Sequence, residues 1–340
     1  MFDVTCKGME YYEQLFETPF AFGKYDLILC PEFNWGAMEN VGAVTVSETS
    51  FLHKDGMGAT EKLNLAYVLL HELAHMWFGN LVTMKWWDDL WLNESFATFI
   101  GYYTLEAHPE FREQFPNAWV KFFFYKERGY REDQLSSSHA IAWHVEDTAQ
   151  SETQFDGITY SKGASVLKQL VYLIGFENFR DAMRHYFHIH KWRNADLADF
   201  FNSLKHIVLT RNLNLDLDQW KIDWICTAGL NEINFFLDIE ENNTLIGMTI
   251  TQSAALKLFP KLREHRMKAG LYYEDGSCRV VELAVVNEAV SEIVLGRLPQ
   301  PAAVLLNYED EDFVKARIDK KSLSFFKENL HVREFWNFPS

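Results

Sequence analysis

Several features that would place a chain in a broad class are scarce or absent here. The four cysteines, Cys6, Cys30, Cys226 and Cys278, are widely scattered with no Cys-x-x-Cys pair, and read as isolated reduced thiols. Positive charge is in deficit, with 32 Lys and Arg against 48 Asp and Glu for a net charge of −16. That balance argues against a nucleic-acid backbone as partner, because such binding runs on Lys and Arg. No apolar run approaches bilayer-spanning length, and the start "MFDVTCKGMEYYEQLF" lacks the basic and apolar blocks of a signal peptide. A cytoplasmic location is the expectation that follows. Internal repeats, low-complexity tracts and a G-x-S-x-G elbow are also missing, and "GMGAT" near Gly56 lacks the spacing of a phosphate loop.

What is present is a core. Hydrophobic residues make up 48% of 340 residues and aromatics 16%, enough for two folded domains. Two textures divide the chain. From about residue 59 to 228 the pattern is long and helical. "TEKLNLAYVLLHELAHMWF" runs without Pro or Gly to Gly79, and "DDLWLNESFATFIGYYTLEAHP" runs from aspartates suited to capping a helix to Pro109. After Asn231 the runs become short and alternating, as in "INFFLDIE", "TLIGMTITQ", "HRMKAGLYYED" and "CRVVELAVV", with Asp275-Gly276 as a hairpin signal. This predicts an α+β protein: a mostly helical domain over 1–229, a small all-β sandwich over 230–318, and over 319–340 a C-terminal tail or the start of a truncated helical domain. "KYDLILCPEF" and "GAVTVSET" read as strands flanking "NWGAMEN".

Two histidines and a glutamate interrupt the greasy run "LAYVLLHELAHMWFGN". Helical residues four apart share a face, so His71 and His75 point the same way with Glu72 beside them. This is the H-E-x-x-H arrangement, in which paired imidazoles bind zinc and the Glu serves as general base. A catalytic zinc takes three protein ligands. Glu94, with eighteen residues between it and His75, lies early in the next helix, and two antiparallel helices could bring it beside both histidines. Asn93 and Asn242 each open an N-x-S/T sequon, and both are read as chance. The remaining histidines, His53, His139, His265 and His331 among them, have no motif context and are assigned to surface or core. Trp86, Trp87 and Trp91 are read as core anchors around the zinc helices.

H-E-L-A-H, eighteen residues and then N-E, preceded by "GAMEN" at Gly36–Asn40, resembles the aminopeptidase N family of zinc metallopeptidases. "FDGITYSKGASVL", residues 155–167, is similar to the segment that carries that family's catalytic tyrosine. The resemblance implies a thermolysin-like catalytic domain, with the GAMEN strand region in 20–50 and the zinc helices in 60–108. It further implies one zinc held by His71, His75 and Glu94, with Glu72 as base and Tyr160 steadying the oxyanion. Gly36, Ala37, Met38, Glu39 and Asn40 are implied to bind substrate, Glu39 recognising the free amine of a peptide. Gly36 would let peptide backbone approach closely, and Trp35 is placed by adjacency in the pocket for the first side chain. Ser95 stands where many relatives have Gly, with little effect expected. The family's leading β domain and trailing helical domain are expected to lie outside these 340 residues, which would expose a surface and leave Glu39 acting alone. A truncated, non-catalytic peptide-binding relative that retains zinc is the rival reading. The family's epoxide-hydrolysing branch, with Gly-Gly-Met-Glu-Asn, ranks below it.

Overall fold

The computed structural model describes residues 1–52 and 56–329; His53, His331 and the tail beyond residue 329 lie outside them. The fold is mixed α and β and divides into two compact units. The first comprises 1–129 and 141–221; the second comprises 130–140 and the chain from 222 onward.

The first unit is helical apart from small sheets. Strands β1 (Asp26–Cys30), β2 (Ala37–Met38) and β3 (Ala43–Ser47) form a sheet of order β1-β3-β2. β1 runs parallel to β3, and β2 antiparallel to it with Ala37 opposite Val46. Val44 and Val46 are fully buried, so one face of the sheet is held by core while β2 forms an edge. β4 (Val82–Met84) pairs in parallel with β5 (Arg193–Ala195). Around these pack a helix at Phe2–Phe16, a histidine helix at Ala59–Ala74, a glutamate helix at Leu90–Ala107 and helices at Gly163–Ile174 and Phe176–His190. Every residue of the glutamate helix from Leu90 to Tyr102 is buried, which explains its continuous apolar texture. Phe78 stacks on Phe96 and Tyr186, joining three of these segments through aromatic faces.

Three details differ from the sequence reading. The histidine helix ends at Ala74 rather than running to Gly79. Its continuation widens, with the amides of Asn80, Leu81 and Val82 bonding the carbonyls of His75, Met76 and Trp77. Asp88 and Asp89 do not cap the glutamate helix. Asp89 Oδ2 accepts from the Leu197 amide and Asp88 Oδ1 from the Val145 amide, tying distant segments to the helix entry. Trp91 is a core anchor, whereas Trp86 is 44% exposed and donates its indole N–H to the Val145 carbonyl.

The second unit holds β6 (Asn231–Ile239), β7 (Thr244–Ala254), β8 (His265–Tyr272), β9 (Cys278–Val285), β10 (Val290–Pro299), β11 (Ala303–Tyr308) and β12 (Lys315–Ala316). They form sheets of order β10-β7-β6-β12 and β11-β8-β9. Ile233, Met248, Ile250, Met267, Leu271, Leu283 and Leu306 from both sheets share one core, the signature of a sandwich. The β8–β9 hairpin turns at Asp275-Gly276, with Tyr272 opposite Cys278. Among the described residues no helix is long and apolar enough to cross a membrane.

Candidate active site

His71 lies in the last turn of the histidine helix and His75 is its C-cap, still in right-handed helical conformation, so the four-residue spacing keeps both rings on one face. Glu94 is the fifth residue of the glutamate helix, just past its first turn. Nε2 of His71 and Nε2 of His75 stand 3.0 Å apart. Oε2 of Glu94 lies 3.3 Å from the first and 3.5 Å from the second. Donors bonded tetrahedrally to one centre at about 2.0–2.2 Å are about 3.3–3.6 Å from each other. The two carboxylate distances match that size and the imidazole pair is slightly closer, so these three side chains could hold a metal ion, and imidazole with carboxylate suits zinc among other divalent metals.

The hydrogen-bond partners orient these donors. Nδ1 of His75 faces Asn93 Oδ1 at 2.8 Å and the Phe78 carbonyl at 3.2 Å. Asn93 Nδ2 donates to Glu39 Oε1 at 3.3 Å, which turns its oxygen toward the ring. Both partners of Nδ1 only accept, so that nitrogen carries a proton and Nε2 is the ring atom turned toward His71 and Glu94. His71 Nδ1 is met by the hydroxyls of Tyr67 and Thr98, each at 3.4 Å. Glycine at position 79 is what admits Asn93. Its φ of +125° lies in the left-handed half of the map, and a Cβ there would stand 2.2 Å from Asn93 Oδ1.

Burial sets the acids apart. Burial pushes the Glu72 carboxyl up to about 8, helped by Glu39 and Glu94 and opposed by His75. Among the described residues its Oε2 has no hydrogen-bond partner, although it is buried. Glu94 is also buried, yet the facing His75 and His71 hold it well below the usual carboxylate range. Burial, and then the Glu94 charge, raise the Tyr160 phenol well above its ordinary value, so it stays a neutral O–H donor. Its ring stacks over His71 at 6.4 Å.

The GAMEN segment is the edge strand and the turn after it. Ala37 and Met38 form β2, Met38 being 40% exposed. The Gly36 carbonyl accepts from the Ser47 amide, and a Cβ at Gly36 would meet open space. Glu39 Oε1 reaches within 3.9 Å of His75 Nδ1, and its carbonyl accepts from Asn80 Nδ2 at 2.8 Å. Asn40 points elsewhere, donating to Thr45 Oγ1 within the sheet. Trp35, 56% exposed, packs on Phe155, which in turn packs on Tyr160. Asn93, Thr98, Tyr67 and Phe155 were not singled out from sequence as parts of a site. Asn93 had a signal, since it precedes Glu94 by one residue.

Residues 1–224 match the model of the peptidase family M1 domain. The chain is 38% identical to an aminopeptidase N of Streptomyces lividans, over 97% of this chain and 39% of that protein. It is 41% identical to a leucyl aminopeptidase of Saccharolobus solfataricus, over 66% of this chain and 28% of that one. It is also 41% identical to the Tricorn protease-interacting factor F2 of Thermoplasma volcanium, over 71% and 32%. The chain thus spans between about a quarter and two fifths of the length of these curated relatives. With a family model covering well over half its residues, this chain belongs to peptidase family M1, the aminopeptidase N family.

Proposed function

We propose that the chain carries the catalytic site of a zinc-dependent aminopeptidase, which hydrolyses the first peptide bond of peptides with a free N-terminus. The observation that carries this reading is the buried triangle of His71, His75 and Glu94 with the unpartnered Glu72 carboxylate beside it. Zinc held by His71 Nε2, His75 Nε2 and Glu94 Oε2 would act as a Lewis acid, lowering the pKa of a water to about 7 and polarising the scissile carbonyl. Glu72 takes the proton of the attacking water and delivers it to the leaving amine. The Tyr160 phenol donates to the carbonyl oxygen as negative charge grows there.

Restriction to the N-terminus needs a fixed anion for the substrate ammonium. Glu39 supplies it, held near His75 through Asn93. The β2 edge beside it offers unpaired backbone on which a peptide can lie as an added strand. The test is hydrolysis of amino-acid anilides, free and N-acetylated, by the zinc-loaded chain, with metal content measured in parallel. Cleavage of the free compounds alone is the expected result. Stoichiometric zinc without turnover would favour the non-catalytic rival, and equal cleavage of both sets would remove the N-terminal restriction.

A further inference from the structure

Resting on that catalytic reading, we propose that Ser95 is a positioning residue for Tyr160: its hydroxyl fixes the widened turn that carries the phenol against the helix that carries Glu94. Ser95 is fully buried, and its Oγ donates to the Thr159 carbonyl at 2.5 Å. That bond joins the residue after a metal donor to the residue before the tyrosine.

The Ile158–Lys162 turn needs such a clamp because it is a π-helix, whose hydrogen bonds reach one residue further back than those of the helix that follows. The Lys162 amide bonds the Gly157 carbonyl five residues back, and the Gly163 amide bonds Ile158 and Tyr160. In an α-helix the Gly163 amide would have gone to the Thr159 carbonyl. The π register diverts it, and the Ser95 hydroxyl donates to that oxygen instead. At the turn's entry, Asp156 Oδ1 accepts from the Ile158 and Thr159 amides, both at 2.9 Å.

The packing around the bond is built to the size of one hydroxyl. A Cβ on Gly163 would fall 1.9 Å from Ser95 Oγ and 3.0 Å from its Cβ. On another side of the turn, a Cβ on Gly129 would come 2.9 Å from the Lys162 amide nitrogen. Two close approaches without side chains grip the turn, and the Ser95 bond to the Thr159 carbonyl holds its register. Neighbouring residues of one helix thus fix the two groups that face the substrate carbonyl. Glu94 points to the metal triangle, and Ser95 points to the carbonyl preceding Tyr160.

Ser95→Ala and Ser95→Gly remove the hydroxyl without touching a ligand, base or phenol. The expected result for the zinc-loaded chain is a fall in kcat of about ten- to a hundredfold, from misplacement on the ångström scale. KM and zinc content should be unchanged. A role through Tyr160 predicts that this loss vanishes when the same substitution is made on Tyr160→Phe; losses that multiply in the double variant would overturn the proposal.

A second readout needs no turnover. In protein labelled with 3-fluorotyrosine, the 19F resonance that Tyr160→Phe abolishes should shift or broaden in Ser95→Gly, and an unmoved resonance would overturn the assignment even in an inactive chain. Gly163→Ala should unfold more readily, and combining it with Ser95→Gly should restore stability but not kcat. Recovery of kcat in that pair would also contradict the proposal. Absence of turnover in the parent chain, with the 19F effect intact, would count against the aminopeptidase reading and leave the role of Ser95 standing.

Discussion

Replacing Asn93 by alanine isolates the partner of His75 from the metal donors themselves. The substitution removes the 2.8 Å acceptor of Nδ1 and leaves the Phe78 carbonyl at 3.2 Å. Loss of a group that orients a ligating imidazole costs about 10- to 100-fold in metal affinity. Because one acceptor survives, the loss should lie at the lower end, about tenfold or 1.4 kcal/mol. Zinc competition against a chromophoric chelator measures it directly. Asn93→Asp keeps an acceptor for Nδ1 but meets Glu39 Oε1 with like charge where an amide donated at 3.3 Å. It should hold zinc within a few-fold of the parent while raising KM for substrates with a free amine. Gly79→Ala should reproduce the Asn93→Ala weakening, since its Cβ would displace the carboxamide. An unchanged zinc affinity in Asn93→Ala, or an equal loss in Asn93→Asp, would refute the idea that the carboxamide sets the imidazole.

Three further outcomes follow from the same geometry. Glu72→Gln should keep stoichiometric zinc and lose about 10²- to 10⁴-fold in turnover of amino-acid anilides; undiminished rates would point to another base. Glu39→Ala should weaken cleavage of free N-terminal substrates far more than any cleavage of N-acetylated ones, and equal effects would remove Glu39 from amine recognition. Burial pushes Asp89 up from 3.8 to about 6, against the Leu197 amide bond that lowers it. An acid whose folded pKa is raised destabilises the fold on ionising. The penalty is absent below about pH 3.8, grows through the interval and is complete above about pH 6. A shift of about two units corresponds to about 3 kcal/mol. Asp89→Asn should therefore raise stability most at neutral pH and hardly at all near pH 4, and a pH-independent difference in denaturant melts would contradict this.

The helical face shared by His71 and His75 was readable from spacing alone, because helix geometry is local. Glu94 was reached only through the upstream motif and the need for a third ligand, since the glutamate helix is buried from Leu90 to Tyr102 and its periodicity carries no direction. The alternating runs after residue 231 marked the strands, and Asp275-Gly276 marked their hairpin. What sequence did not reveal were partnerships between side chains far apart in the chain. Asn93 looked like a chance sequon, yet it bridges His75 and Glu39. Ser95 looked inconsequential, yet it bonds a carbonyl 64 residues away. Asp88 and Asp89 looked like caps, yet each holds a distant amide. Such bonds depend on which helices pack together, and composition and period are silent on that.

Zinc stoichiometry combined with X-ray absorption at the zinc edge is the most direct measurement of the donor triangle. One zinc per chain is expected, with nitrogen and oxygen neighbours at about 2.0–2.2 Å and the outer-shell scattering of two imidazoles. His71→Ala should lose both the metal and that scattering. Sulfur neighbours, a single imidazole, or zinc retained one-to-one in His71→Ala would contradict it.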